Sequence, residues 1–215
     1  MKSFIIATSL LMSSLAAFAQ HAAGTLTIQP KVGLNITTIT QEPDISARVG
    51  LAAGVEAEYM ISDMFSFSAG ALYSMQGAKQ KSSFTEGTIS VGYDITSKYD
   101  YINIPLMANV YVIKGLAVKA GLQPSFNVSS KNDGDVTIVL NGETKNYSVG
   151  EYTGDLDFID SSANSFYFSI PVGASYEYKN VVFDARYNIG VSKIWKGSYS
   201  KHSVFQMTLG YKFSL

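Results

Sequence analysis

The chain has 215 residues, 47% of them hydrophobic and 13% aromatic, with a formal net charge of -1 and no cysteine. That length fits one sizeable domain or two small ones. The near-neutral charge, with Lys and Arg scattered, excludes the basic surface that nucleic-acid binding requires, and the missing cysteines exclude disulfides and thiolate metal sites. No run of about 20 apolar residues occurs beyond the N-terminus, so no helical membrane span is expected in the mature chain.

The N-terminus, "MKSFIIATSLLMSSLAAFAQ", has the three parts of a secretory signal. Lys2 supplies the positive start, Phe4 to Leu15 a short apolar stretch, and Ala17-Phe18-Ala19 the small-x-small cleavage pattern. Residues 1–19 are therefore read as a signal peptide, 20–25 as a short tail with His21 in it, and 26–215 as one β-barrel domain. No Cys follows the cleavage point to take a lipid.

From residue 26 onward the dominant period is two, the mark of strands whose faces meet different environments. Eight runs follow in order: 26–37, 48–61, 65–77, 99–112, 116–128, 166–178, 181–191 and 203–215. In "VGLAAGVEAEYMI" one parity reads Val49, Leu51, Ala53, Val55, Ala57, Tyr59, Ile61. In the final "FQMTLGYKFSL" it reads Phe205, Met207, Leu209, Tyr211, Phe213, Leu215. Tight turns are predicted at 62–64, 113–115 and 179–180. Long polar connections are predicted near 38–47, 78–98, 129–165 and 192–202. Within 129–165, Asn141-Gly142 between β-prone runs predicts a hairpin rising above the barrel, and Thr88 to Ile95 reads as a second.

Such alternation suits two opposite barrels. A soluble lipocalin-like barrel hides its apolar parity, whereas a membrane barrel turns it outward to lipid. Here the polar parity carries Gly33, Gly50, Gly54, Gly70, Gly121, Gly173 and Gly190 beside charges and amides. A narrow interior needs small residues to make room for long polar ones, while glycines on a water-facing side only weaken strands. The apolar parity is free of charge, and its aromatics cluster towards the strand ends, as interfacial girdles do. Tyr59, Phe65, Tyr178, Phe183, Tyr211 and Phe213 fall near the turns; Tyr73, Phe126, Phe166, Tyr187 and Phe205 fall nearer the loops. The fold expected is all-β: an eight-stranded antiparallel up-and-down transmembrane β-barrel with short periplasmic turns and long extracellular loops.

"GALYSMQGAK", "YINIPLMANVYV", "GLAVKAGLQPSF", "VVFDARYNIG" and "VFQMTLGYKF" resemble the outer membrane protein beta-barrel domain family, also called PorT-like. The resemblance covers nearly all of the mature chain and extends to small OmpA- and OmpX-type barrels. It implies an outer-membrane location, and most family members have no assigned activity. The family often has Glu where this chain has Gly70. The apolar last strand resembles the signal read by the barrel-assembly machinery, although Leu215 stands where an aromatic is more usual.

An outward apolar parity sends the other parity inside. Eight charges then fall in the periplasmic half of the lumen: Lys31, Glu56, Glu58, Lys119, Glu177, Asp184, Arg186 and Lys212. Buried charge is unfavourable unless paired. The pairings expected are Lys31 with Glu56, Lys119 with Glu177, Asp184 with Lys212, and Arg186 with Glu58. An ion path is one reading; a balanced plug fits better, because eight strands leave room only for side chains.

Catalysis has little to work with. The two histidines are His21, in what reads as a mobile tail, and His202, which reads as a rim residue beside Ser203 facing the other way. Asp133, Asp135, Asp155, Asp157 and Asp160 lack EF-hand spacing and read as solvated loop acids. No catalytic residue, metal site or cofactor is assigned. The function expected is a non-enzymatic outer-membrane barrel with a filled lumen, presenting surface loops, especially 129–165, for binding or envelope integrity. A small pore, or a surface enzyme or adhesin, is the alternative. The partners expected are outer-membrane lipid, the barrel-assembly machinery and an extracellular protein or ligand met through the loops.

Overall fold

The computed structural model of the protein describes residues 21–40, 45–141, 143–148, 164–193 and 200–215. The segment 1–19, the turn residue Gly142 and the acids Asp155, Asp157 and Asp160 lie outside the described residues. The strands are β1 (Leu26–Ile39), β2 (Ile45–Met60), β3 (Phe65–Glu86), β4 (Ile89–Asn103), β5 (Leu106–Ile113), β6 (Leu116–Leu140), β7 (Glu143–Ser148), β8 (Phe166–Tyr178), β9 (Val181–Gly190), β10 (His202–Tyr211) and β11 (Phe213–Ser214).

These strands close into an eight-stranded antiparallel ring. β4 and β5 form one ring strand, interrupted at Ile104-Pro105 because proline has no N–H to give to a neighbour. The break stays hydrogen-bonded: Ile104 N–H donates to Pro124 O at 2.9 Å and Gly70 N–H to Pro105 O at 3.1 Å. β10 and β11 likewise form one strand, which pairs with β1 and closes the ring. Leu215 N–H donates to Leu26 O at 2.9 Å, so this end is tied down rather than frayed. β7 lies outside the ring and pairs with β6.

The ring is strongly staggered. Followed one way from Gly33, the pairing runs through Ala52, Ser74 and Tyr101 to Asn127 of β6. Followed the other way, it runs through Thr208, Asp184 and Ser175 to Ala117 of β6, ten residues lower on the same strand. Such shear tilts the strands steeply, and a ring of only eight strands keeps the interior narrow.

Within the ring, burial alternates as the pleat requires. On β9 the sequence Val181–Gly190 reads exposed, buried, exposed, buried from its first residue, with Asp184, Arg186 and Asn188 inside. The apolar parity is exposed on every strand of the ring, including Val32, Leu51, Phe67, Leu122, Phe183 and Leu209. The aromatics assigned to the two girdles are exposed as well. The predicted tight turns are present. Lys179 (φ 48°) and Asn180 (φ 70°) adopt the paired left-handed conformations that join two strands through two residues.

The long connections hold more strand than the sequence reading assigned. The stretch 78–98 is mostly regular: β3 runs on to Glu86, a turn at Gly87 (φ 61°) follows, and β4 begins at Ile89. β6 continues to Leu140 and pairs with β4 along that whole length. With β7 these strands make a sheet, ordered β3-β4-β6-β7, that projects beyond the ring.

In that sheet the polarity turns over. Phe84, Val91, Ile138 and Lys145 lie opposite one another, as do Ile89 with Leu140, and Tyr93 with Val136 and Tyr147. These positions continue the inward parity of β3 and β4, yet most are apolar. The other side carries Lys81, Asp94, Lys98, Lys131, Asp133 and Asp135. A bulge between Asn127 and Ser129 opposite Asp100/Tyr101 shifts β6 by one residue, which keeps its apolar positions on the axis-facing side.

Candidate functional site

The charged parity converges in the lower lumen in two layers. In the upper layer, Arg186 of β9 lies between two carboxylates. Its Nε donates to Asp184 Oδ1 at 2.7 Å and its Nη2 to Asp184 Oδ2 at 2.8 Å; Nη2 also donates to Glu56 Oε1 at 2.9 Å and Oε2 at 2.8 Å. Lys31 Nζ donates to Glu56 Oε2 at 3.0 Å and Lys119 Nζ to Asp184 Oδ2 at 3.1 Å. All five side chains are about 1% exposed. In the lower layer, Lys212 Nζ is 2.7 Å from Glu58 Oε2 and 3.0 Å from Glu177 Oε2.

Every one of the eight charged side chains named from the sequence is buried and ion-paired, but the pairing map differs from the one expected. Lys31 meets Glu56 as anticipated. Lys119 does not meet Glu177: its cross-strand partner is Gly173, four residues away, roughly 13 Å along a strand. Lys119 meets Asp184 instead. Asp184 in turn lies opposite Thr208, four residues from Lys212. Arg186 reaches Glu56 rather than Glu58, which lies one step lower on β2. The stagger decides this, because it lifts some sequence neighbours apart and brings residues of distant strands level. Gly173 faces Arg186 directly, and a Cβ there would run into the backbone of Ala185 and come within 2.9 Å of Arg186 Cα.

Several members of the network were missed. Tyr111 hydroxyl donates to Glu58 Oε1 at 2.7 Å and accepts from Lys212 Nζ at 2.9 Å. Ser66 and Asn109 also bond Glu58, and Ser68 bonds Glu56. Their signal was present, since all four lie on the polar parity, but a search for charge passes over tyrosine, serine and amide.

Both histidines differ from expectation. His21 is held: its Nε2 is 2.9 Å from Glu177 Oε1, and Gly24 N–H donates to Met60 O at 2.8 Å, so residues 21–24 are tied to the tight-turn end of the ring. His202 is not on the rim but 1% exposed, inside the upper lumen. Tyr99, Tyr101 and Tyr167 surround it edge-on, with ring centroids 5.9, 5.6 and 5.3 Å away. Tyr101 hydroxyl is 3.2 Å from His202 Nε2. Ser203 faces outward, bonded to Tyr187.

The described loop acids have partners of their own. Asp135 accepts from Ser148 Oγ at 3.1 Å, and Asp133 from Lys98, whose ammonium holds the Asp133 carboxyl below its ordinary range. Among the described residues, no group of three or more His, Asp or Glu could hold a metal ion.

An oily exterior in water's place, girdled by aromatics, around a narrow ionic interior defines a transmembrane β-barrel. Residues 18–196 match the profile of the outer membrane protein beta-barrel domain family. The chain belongs to that family, and it is a protein of the outer membrane. Among solved structures, Ail, the attachment invasion locus protein of Yersinia pestis, is 13% identical over 89% of this chain and 99% of its own, with a TM-score of 0.46. Neisserial surface protein A is 14% identical over 88% and 97%, with a TM-score of 0.42. OprG of Pseudomonas aeruginosa is 13% identical over 91% and 99%, with a TM-score of 0.40. No match is found among curated proteins.

Proposed function

We propose that the protein is a closed, non-enzymatic outer-membrane barrel that presents its projecting sheet as a contact surface. The observation that carries this reading is the reversal of polarity along β3, β4 and β6. Below it, apolar side chains face lipid and the lumen is packed with paired charge. Above it, apolar side chains occupy the axis-facing side of a sheet standing in an aqueous space, with Phe84 64% and Leu140 49% exposed. Exposed apolar area of this kind marks contact sites, and β7 at the sheet's margin offers backbone groups to which an extended segment adds. The signal peptide is removed after Ala19, residues 20–25 form the tail, and the barrel domain begins at residue 26. The closing strand is read by the assembly machinery.

Deletion of residues 131–160 tests the reading in intact cells. Crosslinked capture of an extracellular partner should vanish while heat-modifiable migration of the extracted barrel persists. Capture that survives the deletion would remove the sheet from the proposal. Mass spectrometry of the mature protein should find Gln20 first.

A further inference from the structure

Between the ionic layers and the His202 cluster lies a third lumen layer that carries no charge. Asn35 pairs across strands with Gln206, and Asn103 with Ser125; Asn188 sits two residues above Arg186 on the same inward face of β9. All five are at most 2% exposed. Asn35 Oδ1, Asn103 Oδ1, Ser125 Oγ, Asn188 Oδ1 and Gln206 Nε2 have no hydrogen-bond partner among the described residues. The same is true of Arg186 Nη1 at the floor of this layer and His202 Nδ1 at its ceiling.

Turning the Asn35 amide round does not satisfy it. Asn35 Nδ2 is fixed by three acceptors, Leu51 O at 3.2 Å, Ser74 Oγ at 2.9 Å and Met75 O at 3.1 Å, so its oxygen must face the lumen. The three asparagine oxygens only accept, Gln206 Nε2 and Arg186 Nη1 only donate, and Ser125 Oγ can do either, yet none of them meets another within hydrogen-bond distance. Leaving a buried polar atom unsatisfied costs about 1–3 kcal/mol, and several in one layer would be prohibitive. The layer therefore needs a small species that both donates and accepts hydrogen bonds. A cation would meet a floor in which three bases face two acids, and would be repelled. Water both donates and accepts, and it satisfies otherwise unpartnered buried polar groups in protein interiors.

We propose that this layer binds a column of ordered water joining Arg186 Nη1 to His202 Nδ1 through the Asn35, Asn103 and Asn188 oxygens. Gln206 and His202 are four residues apart on β10, roughly 10 Å along the tilted axis, which three or four waters span. The column is closed below by ion pairs and above by the tyrosines around His202. It depends on the closed lumen and not on the projecting sheet.

Two measurements test it. A high-resolution crystal structure of the detergent-extracted protein, grown with rubidium chloride, should place density within hydrogen-bond distance of Asn35 Oδ1, Asn188 Oδ1 and Arg186 Nη1, with no anomalous signal. An anomalous peak there would replace water by a cation, and amides paired to one another with no density between them would end the proposal. In solution, deuteron relaxation dispersion should count at least three long-lived internal waters, falling by one or more in Asn188→Leu. A count of zero in the wild-type protein would overturn the column even if the variant failed to fold.

Discussion

The upper ionic layer contains three bases and two acids, and that imbalance makes a directional prediction. Replacing Arg186 by Met removes four hydrogen bonds but leaves Lys31 on Glu56 at 3.0 Å and Lys119 on Asp184 at 3.1 Å, two bases against two acids. Replacing Glu56 by Gln leaves three bases around Asp184 alone. Breaking a buried ion pair by removing one partner costs about 3–5 kcal/mol. Arg186→Met should fall near the lower end, and Glu56→Gln at the upper end or beyond. The double variant leaves Lys31 and Lys119 with Asp184, one surplus base as in the native layer, so it should be more stable than the two single costs added together. The expected coupling is about 0.5–3 kcal/mol, the range for residues in one network. The assay is equilibrium unfolding by guanidinium in lipid vesicles, read by heat-modifiable migration. Strict additivity, or a Glu56→Gln cost no larger than that of Arg186→Met, would refute the charge-counting argument.

Three further outcomes follow from the same geometry. Leu209→Lys, on the lipid face opposite Val32 and Phe183, should cost about 2–4 kcal/mol, whereas Leu140→Lys on the projecting sheet should stay within about 0.5 kcal/mol; equal costs in the same assay would misplace the membrane boundary. Gly173→Ala should cost about 1–3 kcal/mol by forcing the strand backbone away from Arg186, and an unchanged midpoint would mean the lumen has slack there. Because the Asp133 carboxyl is held below its ordinary range by Lys98, any stability it lends the β4–β6 extension is present above the unfolded-state value and lost as pH falls through the folded one. An NMR titration should find the Asp133 midpoint returning to the ordinary range in Lys98→Ala, and no change would sever that link.

The ring was legible in the sequence because lipid imposes one rule on every strand. From Leu26 to Leu215, whatever faces outward must be apolar and whatever faces inward need not be, so period two survives without interruption across eight strands. Even the proline break at Ile104-Pro105 leaves the parity intact. Where the rule of lipid stops, legibility stops with it. Val136 and Ile138 have the alternation of a lipid-facing strand, but the bulge at Asn127–Ser129 has moved them to the axis-facing side. Nothing in the local pattern distinguishes the two cases.

Inside the lumen the limit was geometric rather than chemical. The parity placed Lys119, Glu177, Asp184 and Lys212 in one interior, and burial then obliged each to find an opposite charge. Which charge it finds depends on height, and height depends on a stagger of ten residues that is a property of the closed ring. No strand carries that number in its own sequence. His202, which reads as a rim residue in the sequence, shows the same dependence: it lies on the inward parity of β10, and the stagger sets it level with Tyr101 and Tyr167 from β4 and β8. The partner of a lumen residue in such a barrel is therefore predictable once the shear is known.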